Sequence, residues 1–514
     1  MRLVPWLLLP IFAWACSDDP DVTPDAGAEL DLGLVEDAGF EPDLGFVAYR
    51  HVPPPAAAVP AGLEGDRWRR HLDEDLLPYW RMTEAAGTPE GNFPTYRSMT
   101  GAIRGSTERR PRMLARQTYA YSMAYMMTGD VRLLELAHAG MSWLRTKAVD
   151  PRGGCHERLD ATGNPIEGPK YAQDLSYCAL GFAAYDFVTR DPEAEATLLG
   201  LYDLLFDPAQ YFDTGTQRIR DGRSADLSAE VDQSNDGGWE LVAQLDVINA
   251  FLLLTQPIFA EQSRREQALM HLRLLGQTMI DHFWADGIFW GVSTRKGMYG
   301  TRHVDFGHTL KSYWMLLQID KRLADHPFEG FVKDNVYRWV DRAYDSTNGR
   351  WGKRPVNATV NEWGSDWWIY AEADQLAATL DLIDGRYVSV REQTQAHWLS
   401  DYVDTRRPIR EIIPGIRQNG TPVYGWPDDD TAKCNEWKNG FHSVEHALVL
   451  HILGRYLEDR PVELHFAVPE AQVGTFIAKP YVFDGREVSR TPAEEVNIGG
   501  RTLRHVVVAF DQLY

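Results

Sequence analysis

Thr301-Arg-His-Val-Asp-Phe-Gly-His-Thr-Leu-Lys-Ser-Tyr-Trp314 sets a turn-forming Gly307 directly before His308 and an apolar run, Leu310 to Leu317. That run predicts a buried helix, with His308 in its first turn, where an imidazole can face a cavity and be titrated by its surroundings. Lys311 lies on the same helix face, one turn on. A lone histidine so placed is explained by a capped helix start alone. A second histidine in a similar setting weighs against that: Glu436-Trp437-Lys438-Asn439-Gly440-Phe441-His442.

Outward from this stretch, apolar residues recur at helical spacing over 112–127, 131–147, 170–189, 240–255, 264–284, 309–323, 332–344, 367–383 and 443–457. No linker interrupts them. Many amphipathic helices in antiparallel succession predict a mainly α protein whose hairpins close into a ring, an (α/α)6 toroid spanning residues 59–460. Turn signals at Asp150 to Cys155, Asp160 to Pro165, Ser346 to Trp351 and Arg417 to Pro422 mark short hairpins between helices. The chain has 17 tryptophans, many in these loops, as expected of a wide pocket lined with aromatic faces that suit the C–H surfaces of a sugar. From residue 461 the pattern changes. Val462 to Val468 alternates, Thr475 to Val482 is β-rich, and Arg504 to Phe510 carries a valine triplet, with turns at Asp484-Gly485 and Gly499-Gly500. A small β appendage over 461–514 is expected.

The first residues carry an export signal. Met1-Arg2 precedes a short apolar region ending in Ala13-Trp14-Ala15-Cys16, too short to span a bilayer as a stable helix. A cysteine at the cut site resembles a lipoprotein signal, in which Cys16 becomes the lipidated first residue. Residues 17–58, crowded with Asp, Glu, Pro, Gly and Ala, cannot bury enough surface to order themselves and predict an acidic tether. The expected location is the cell envelope, periplasmic or at the surface, with the membrane as a partner through the lipid. The formal net charge of −22 argues against nucleic acid as a partner. Cys155, Cys178 and Cys434 form no disulfide framework and match no zinc spacing, so no metal is expected.

Five segments between residues 112 and 446 together resemble the N-acylglucosamine 2-epimerase family, which includes cellobiose 2-epimerases and mannose isomerases. They are Leu114 to Tyr121; Asp150 to Cys155 with Asp160 to Pro165 and Lys170 to Gln173; Asp305 to Trp314; Trp367-Trp-Ile-Tyr-Ala-Glu372; and Trp437-Lys-Asn-Gly-Phe-His442. The resemblance implies epimerisation or aldose–ketose isomerisation of a free mono- or oligosaccharide, without cofactor. A base near neutral pKa removes the proton next to the open-chain carbonyl and returns it, a task matched to histidine. It also implies His308 and His442 as the catalytic pair and Arg116 as the partner of the developing oxyanion. Trp437 and one of Trp367 or Trp368 would be the stacking platform, Lys438 and Glu372 further sugar-side groups.

Two positions depart from the family pattern. Lys311 stands where a glutamate usually orients the first histidine, and Asp246 where a third histidine usually meets the sugar; Val242 replaces an asparagine one turn earlier. A cation beside His308 lowers the imidazole pKa. Asp246 and Lys311 are therefore expected to pair across the pocket, an exchange of acid and base that keeps the site neutral. Two rival functions use the same toroid. A glycoside hydrolase or lyase would draw on carboxylates such as Asp246, Glu372, Glu362 and Asp366. A surface glycan-binding protein would need no turnover.

Overall fold

A computed structural model describes residues 49–514, apart from 56–57, 105–106, 233–236, 238 and 426–431. The expected signal, Cys16 and residues 17–48 of the tether lie outside the described residues. Twelve helices of the described part build the ring: α1 (Gly65–His71), α2 (Pro111–Thr128), α3 (Val131–Trp143), α4 (Ala172–Thr189), α5 (Pro192–Leu205), α6 (Asp246–Thr255), α7 (Gln262–Phe283), α8 (Phe306–Arg322), α9 (Glu329–Ala343), α10 (Trp367–Leu380), α11 (Val388–His397) and α12 (Phe441–Leu457). The even-numbered helices touch in succession, and α12 returns to α2, closing an inner ring. Each odd-numbered helix backs one inner helix, with α1 packed on α12, so the first and last helices complete the sixth hairpin. The fold is the (α/α)6 toroid.

Burial separates the two layers. Nearly every residue of α10 and α12 is buried, polar ones included, as expected of a helix enclosed on all sides. The outer α9 instead buries one stripe, Val332, Val336, Trp339, Val340 and Ala343. Local signals set the corners. Gly129 ends α2 at φ +73°, and Asp130 then caps α3 by accepting the Arg132 N–H. Three outer helices, α1, α5 and α11, fall outside the sequence expectation. Their narrow apolar stripes are diluted by charge, and α1 runs on through a π turn, Leu72–Leu76, that breaks the period.

Because every hairpin returns the chain, the six inner helices run in one direction and their N-termini gather at one end of the ring. The chain enters them through two-residue hairpins, among them Arg158–Leu159 with Pro165–Ile166 and Gly415–Ile416 with Pro422–Val423, at turns expected from sequence. Helix N-termini carry partial positive charge, so this end favours acidic side chains and developing anions.

The C-terminal sheet has three antiparallel strands, β1 (Val462–Val468), β2 (Arg486–Ile498) and β3 (Arg501–Asp511), in the order β1-β3-β2. Strand β1 packs on α2, α4 and α12. The stretch expected as a strand, Thr475 to Val482, is not one. Pro480 cannot donate to a ladder, and Tyr481, Val482 and Phe483 turn inward one by one to become buried. The long β2 takes its place; its exposed, charged face hid it from a hydrophobic pattern. Among the described residues no helix is long and apolar enough to cross a membrane.

Candidate active site

The candidate residues stand in two layers at the gathered N-termini. The upper layer holds first-turn residues: Asp246 of α6, His308 of α8, Trp367 and Trp368 of α10, and His442 of α12. One turn deeper lie Arg116 of α2, Lys311 of α8, Glu372 of α10 and Glu445 of α12.

Asp305 fixes His308. One carboxylate oxygen accepts the His308 backbone N–H at 2.7 Å, capping α8, and the other lies 2.7 Å from Nδ1. A carboxylate only accepts, so Nδ1 carries a proton and Nε2 is the nitrogen available for exchange. Burial pulls this imidazole down, but the Asp305 charge and hydrogen bond, helped by Asp246 and Glu372, win, and its pKa is raised. The sequence expectation that Lys311 would depress His308 is thus corrected. Asp305, three residues before the histidine, outweighs burial and takes the orienting part expected of a residue three after it.

The His308 ring stands between His303 and Trp368, each centroid 4.8 Å away. The same Trp368 ring faces His442 at 6.1 Å, so one indole borders both imidazoles. Gly307 makes this approach possible: a Cβ there would lie 2.5 Å from the Trp368 ring. Of the two adjacent tryptophans, Trp367 is buried and Trp368 half-buried, so only Trp368 offers a usable face.

His442 has Nδ1 3.2 Å from Glu372 Oε1. Burial, then the positive charge of Arg116, with Lys311 adding to it, hold this imidazole well below its ordinary pKa against the pull of Glu445 and Asp246. The two histidines are therefore driven in opposite directions.

Lys311 is buried, with Nζ 2.8 Å from Glu372, 3.6 Å from Glu445 and 3.7 Å from Asp246. Asp246 is thus within ion-pair reach, but it is the most distant of three carboxylates rather than a sole partner. Burial disfavours the ammonium, yet Glu372, Glu445 and Asp246 together raise its pKa. Glu372, His442 and Glu445 bring donor atoms within 4.8 Å of one another, a spacing a metal could use, and the Lys311 ammonium faces both carboxylates.

Arg116 lies between the rings of Tyr177 and Phe441, 4.8 and 4.9 Å from its guanidinium carbon. It is buried, and its Nε meets no hydrogen-bond partner among the described residues. Trp437 is 42% exposed, with the Arg112 guanidinium 4.1 Å from its ring centre. Arg112 in turn is fixed by Asp174 and by the Glu436 carbonyl. Lys438 lies behind the cluster: it is fully buried, with Nζ on Glu411 at 2.5 Å and 5.7 Å from the centre of the buried Trp367 ring. Of the carboxylates considered for a hydrolase, Glu362 is held by Arg354 at 2.7 Å and Asp366 lies 3.7 Å from Lys353.

Asp305, Glu445, His303 and Arg112 were missed as site residues. Two had legible signals. Asp305 occupies an N-cap position before an apolar run, and Glu445 stands three residues after His442 on one helix face.

The profile of the N-acylglucosamine 2-epimerase (GlcNAc 2-epimerase) family matches residues 91–405, more than half of the 514-residue chain. The chain is 22% identical over 406 residues to cellobiose 2-epimerase of Eubacterium cellulosolvens, covering 73% of this chain and 95% of that protein. A solved structure of cellobiose 2-epimerase from Spirochaeta thermophila superposes with a TM-score of 0.66 at 17% identity, over 77% of this chain and 97% of that one. A D-mannose isomerase structure gives 0.65 at 16% identity, over 77% and 99%. Matched over most of its toroid, the chain belongs to the N-acylglucosamine 2-epimerase family, a family of carbohydrate epimerases and isomerases.

Proposed function

We propose that the protein is a sugar 2-epimerase or aldose–ketose isomerase, moving the C2 proton of a free reducing sugar between His308 and His442. The observation that carries this is the pair of imidazoles bordering one tryptophan ring, at 4.8 and 6.1 Å. In the open-chain sugar the carbonyl acidifies the C2 proton. The neutral His442 accepts it, leaving an enediolate. His308, with its raised pKa, supplies the proton that is returned. Titratable groups whose surroundings push them apart divide the acid and base roles in this way. Arg116 faces the developing oxyanion, and Trp368 and Trp437 carry the C–H faces of the sugar. Return of the proton to the opposite face of C2 gives the epimer; delivery to C1, with the O2 hydroxyl proton passing to O1, gives the ketose.

Free cellobiose, mannose, glucose and N-acetylglucosamine are incubated with the protein in heavy water. Deuterium at C2 of the aldose or at C1 of the ketose, read by NMR, reports exchange whichever product forms. His308→Asn and His442→Asn are each expected to lower turnover about a hundredfold to ten-thousandfold, the usual contribution of a positioned acid or base. Full activity in both variants would reject the two-histidine mechanism. We also propose that Cys16 carries a lipid anchoring the enzyme in the cell envelope; Cys16→Ala should then move it from the membrane to the soluble fraction.

A further inference from the structure

Tyr481, in the segment joining β1 to β2, is buried and holds φ at +63°, a conformation rare for a bulky residue and one that the surrounding packing must enforce. The same segment is clamped to the far end of α8: Arg322 binds Asp484 at 3.1 Å and donates to the Val482 carbonyl at 3.1 Å. So fixed, the Tyr481 hydroxyl donates to Glu445 Oε1 at 2.6 Å and lies 2.7 Å from the Tyr119 hydroxyl. A phenol has one proton; with that proton on the carboxylate, Tyr119 must donate to Tyr481. The other oxygen of Glu445 is the one 3.6 Å from Lys311. A continuous buried path therefore runs from the C-terminal extension, outside the residues matched by the family profile, to the charges behind His442.

We propose that Tyr481 is a positioning residue of the active site: the C-terminal extension supplies, through this one hydroxyl, the hydrogen bond that keeps Glu445 an anion aimed at Lys311. The inference rests on the proposed function. The groups facing Glu445 are Lys311 of α8, Glu372 of α10, Asp246 of α6, Arg116 and Tyr119 of α2 and Tyr481, with His442 one turn back on α12. Burial pushes the Glu445 carboxyl up and leaves it raised on balance; Lys311 holds it down, Glu372 pushes it up, the Tyr481 hydrogen bond lowers it, and Asp246 raises it. Removing the hydroxyl thus lets Glu445 take a proton at a higher pH. Lys311 then turns more fully toward Glu372, the carboxylate beside His442.

The test is the pH profile of C2 deuterium exchange in Tyr481→Phe, which keeps the ring and its packing. The expected result is a fall of about tenfold in kcat, the scale of one hydrogen bond to a charged group, with KM changed by less than about twofold. The acid limb should move to higher pH by about one unit. In a Glu445→Gln background, Tyr481→Phe should move the limb no further. Site-specific 3-fluorotyrosine at 481, a stronger donor of the same shape, should move it the other way, and serves should the phenylalanine variant fail to fold. An active wild type with the limb unmoved in these variants overturns the inference, as does a loss of rate equal at every pH. An inert wild type overturns the proposed function, and this inference with it.

Discussion

The ammonium of Lys311 lies 2.8 Å from Glu372 Oε2, and that ion pair joins α8 to α10 directly beneath the two histidines. Glu445 and Asp246 bring α12 and α6 to the same ammonium. Four of the six inner helices thus meet at one buried cation.

Lys311→Met leaves three carboxylates without their cation, and loss of one partner of a buried ion pair costs about 3–5 kcal/mol. Lys311→Glu should be worse, and Asp246→His combined with Lys311→Glu should recover part of the loss. Urea unfolding measures all three, and additive losses in the double variant would show that the two positions are not coupled.

Asp305→Asn keeps a good helix cap and removes the charge beside His308. The His308 pKa should then fall. With His308 as the proposed proton donor, the alkaline limb of kcat should move to lower pH while the far-UV spectrum stays unchanged. Stability follows the same pair. His308 has a raised pKa, so its contribution is complete below the unfolded imidazole value and is lost as pH rises through the folded one. Asp305 has a lowered pKa, so its contribution is present above the unfolded carboxylate value and is lost on acidification. The gap in unfolding free energy between wild type and variant should therefore be widest between the unfolded carboxylate and imidazole values, and narrow as pH rises above them.

Trp437→Ala should raise KM about tenfold with little change in kcat, since an exposed stacking face binds substrate and transition state alike. Trp368→Ala should instead lower kcat, because that ring borders both imidazoles. Steady-state kinetics on one sugar separates the two; equal effects on KM and kcat in both variants would contradict the distinction.

Gly307→Ala puts a methyl 2.5 Å from the Trp368 ring and 2.9 Å from Ile369, contacts that cannot persist. Overpacking of this kind costs about 1–3 kcal/mol. Turnover should fall with it, since the displaced ring borders both histidines. A variant as stable and as active as wild type would mean that the close approach of α8 and α10 is not needed.

By itself the sequence determined the ring and the residues at its mouth. Inner helices such as α10 and α12 carry apolar residues at helical spacing, and their first turns follow glycine or hairpin signals. His308 and His442 are legible because short-range chemistry, a turn followed by a 3.6-residue period, places them; Trp368 and Asp246 are legible through the family resemblance. Tertiary structure alone decided how charge is shared. Lys311 could be matched to Asp246 by type, but the shortest contact goes to Glu372, because distances between helices depend on how the hairpins close. The opposite drift of the two imidazoles has the same origin: His308 meets a carboxylate from its own turn, while His442 is buried beside a guanidinium from α2. Tyr481 left no local signal at all. Its hydroxyl reaches Glu445 across 36 positions of chain, through a backbone turn that only the packing of the sheet against the ring enforces.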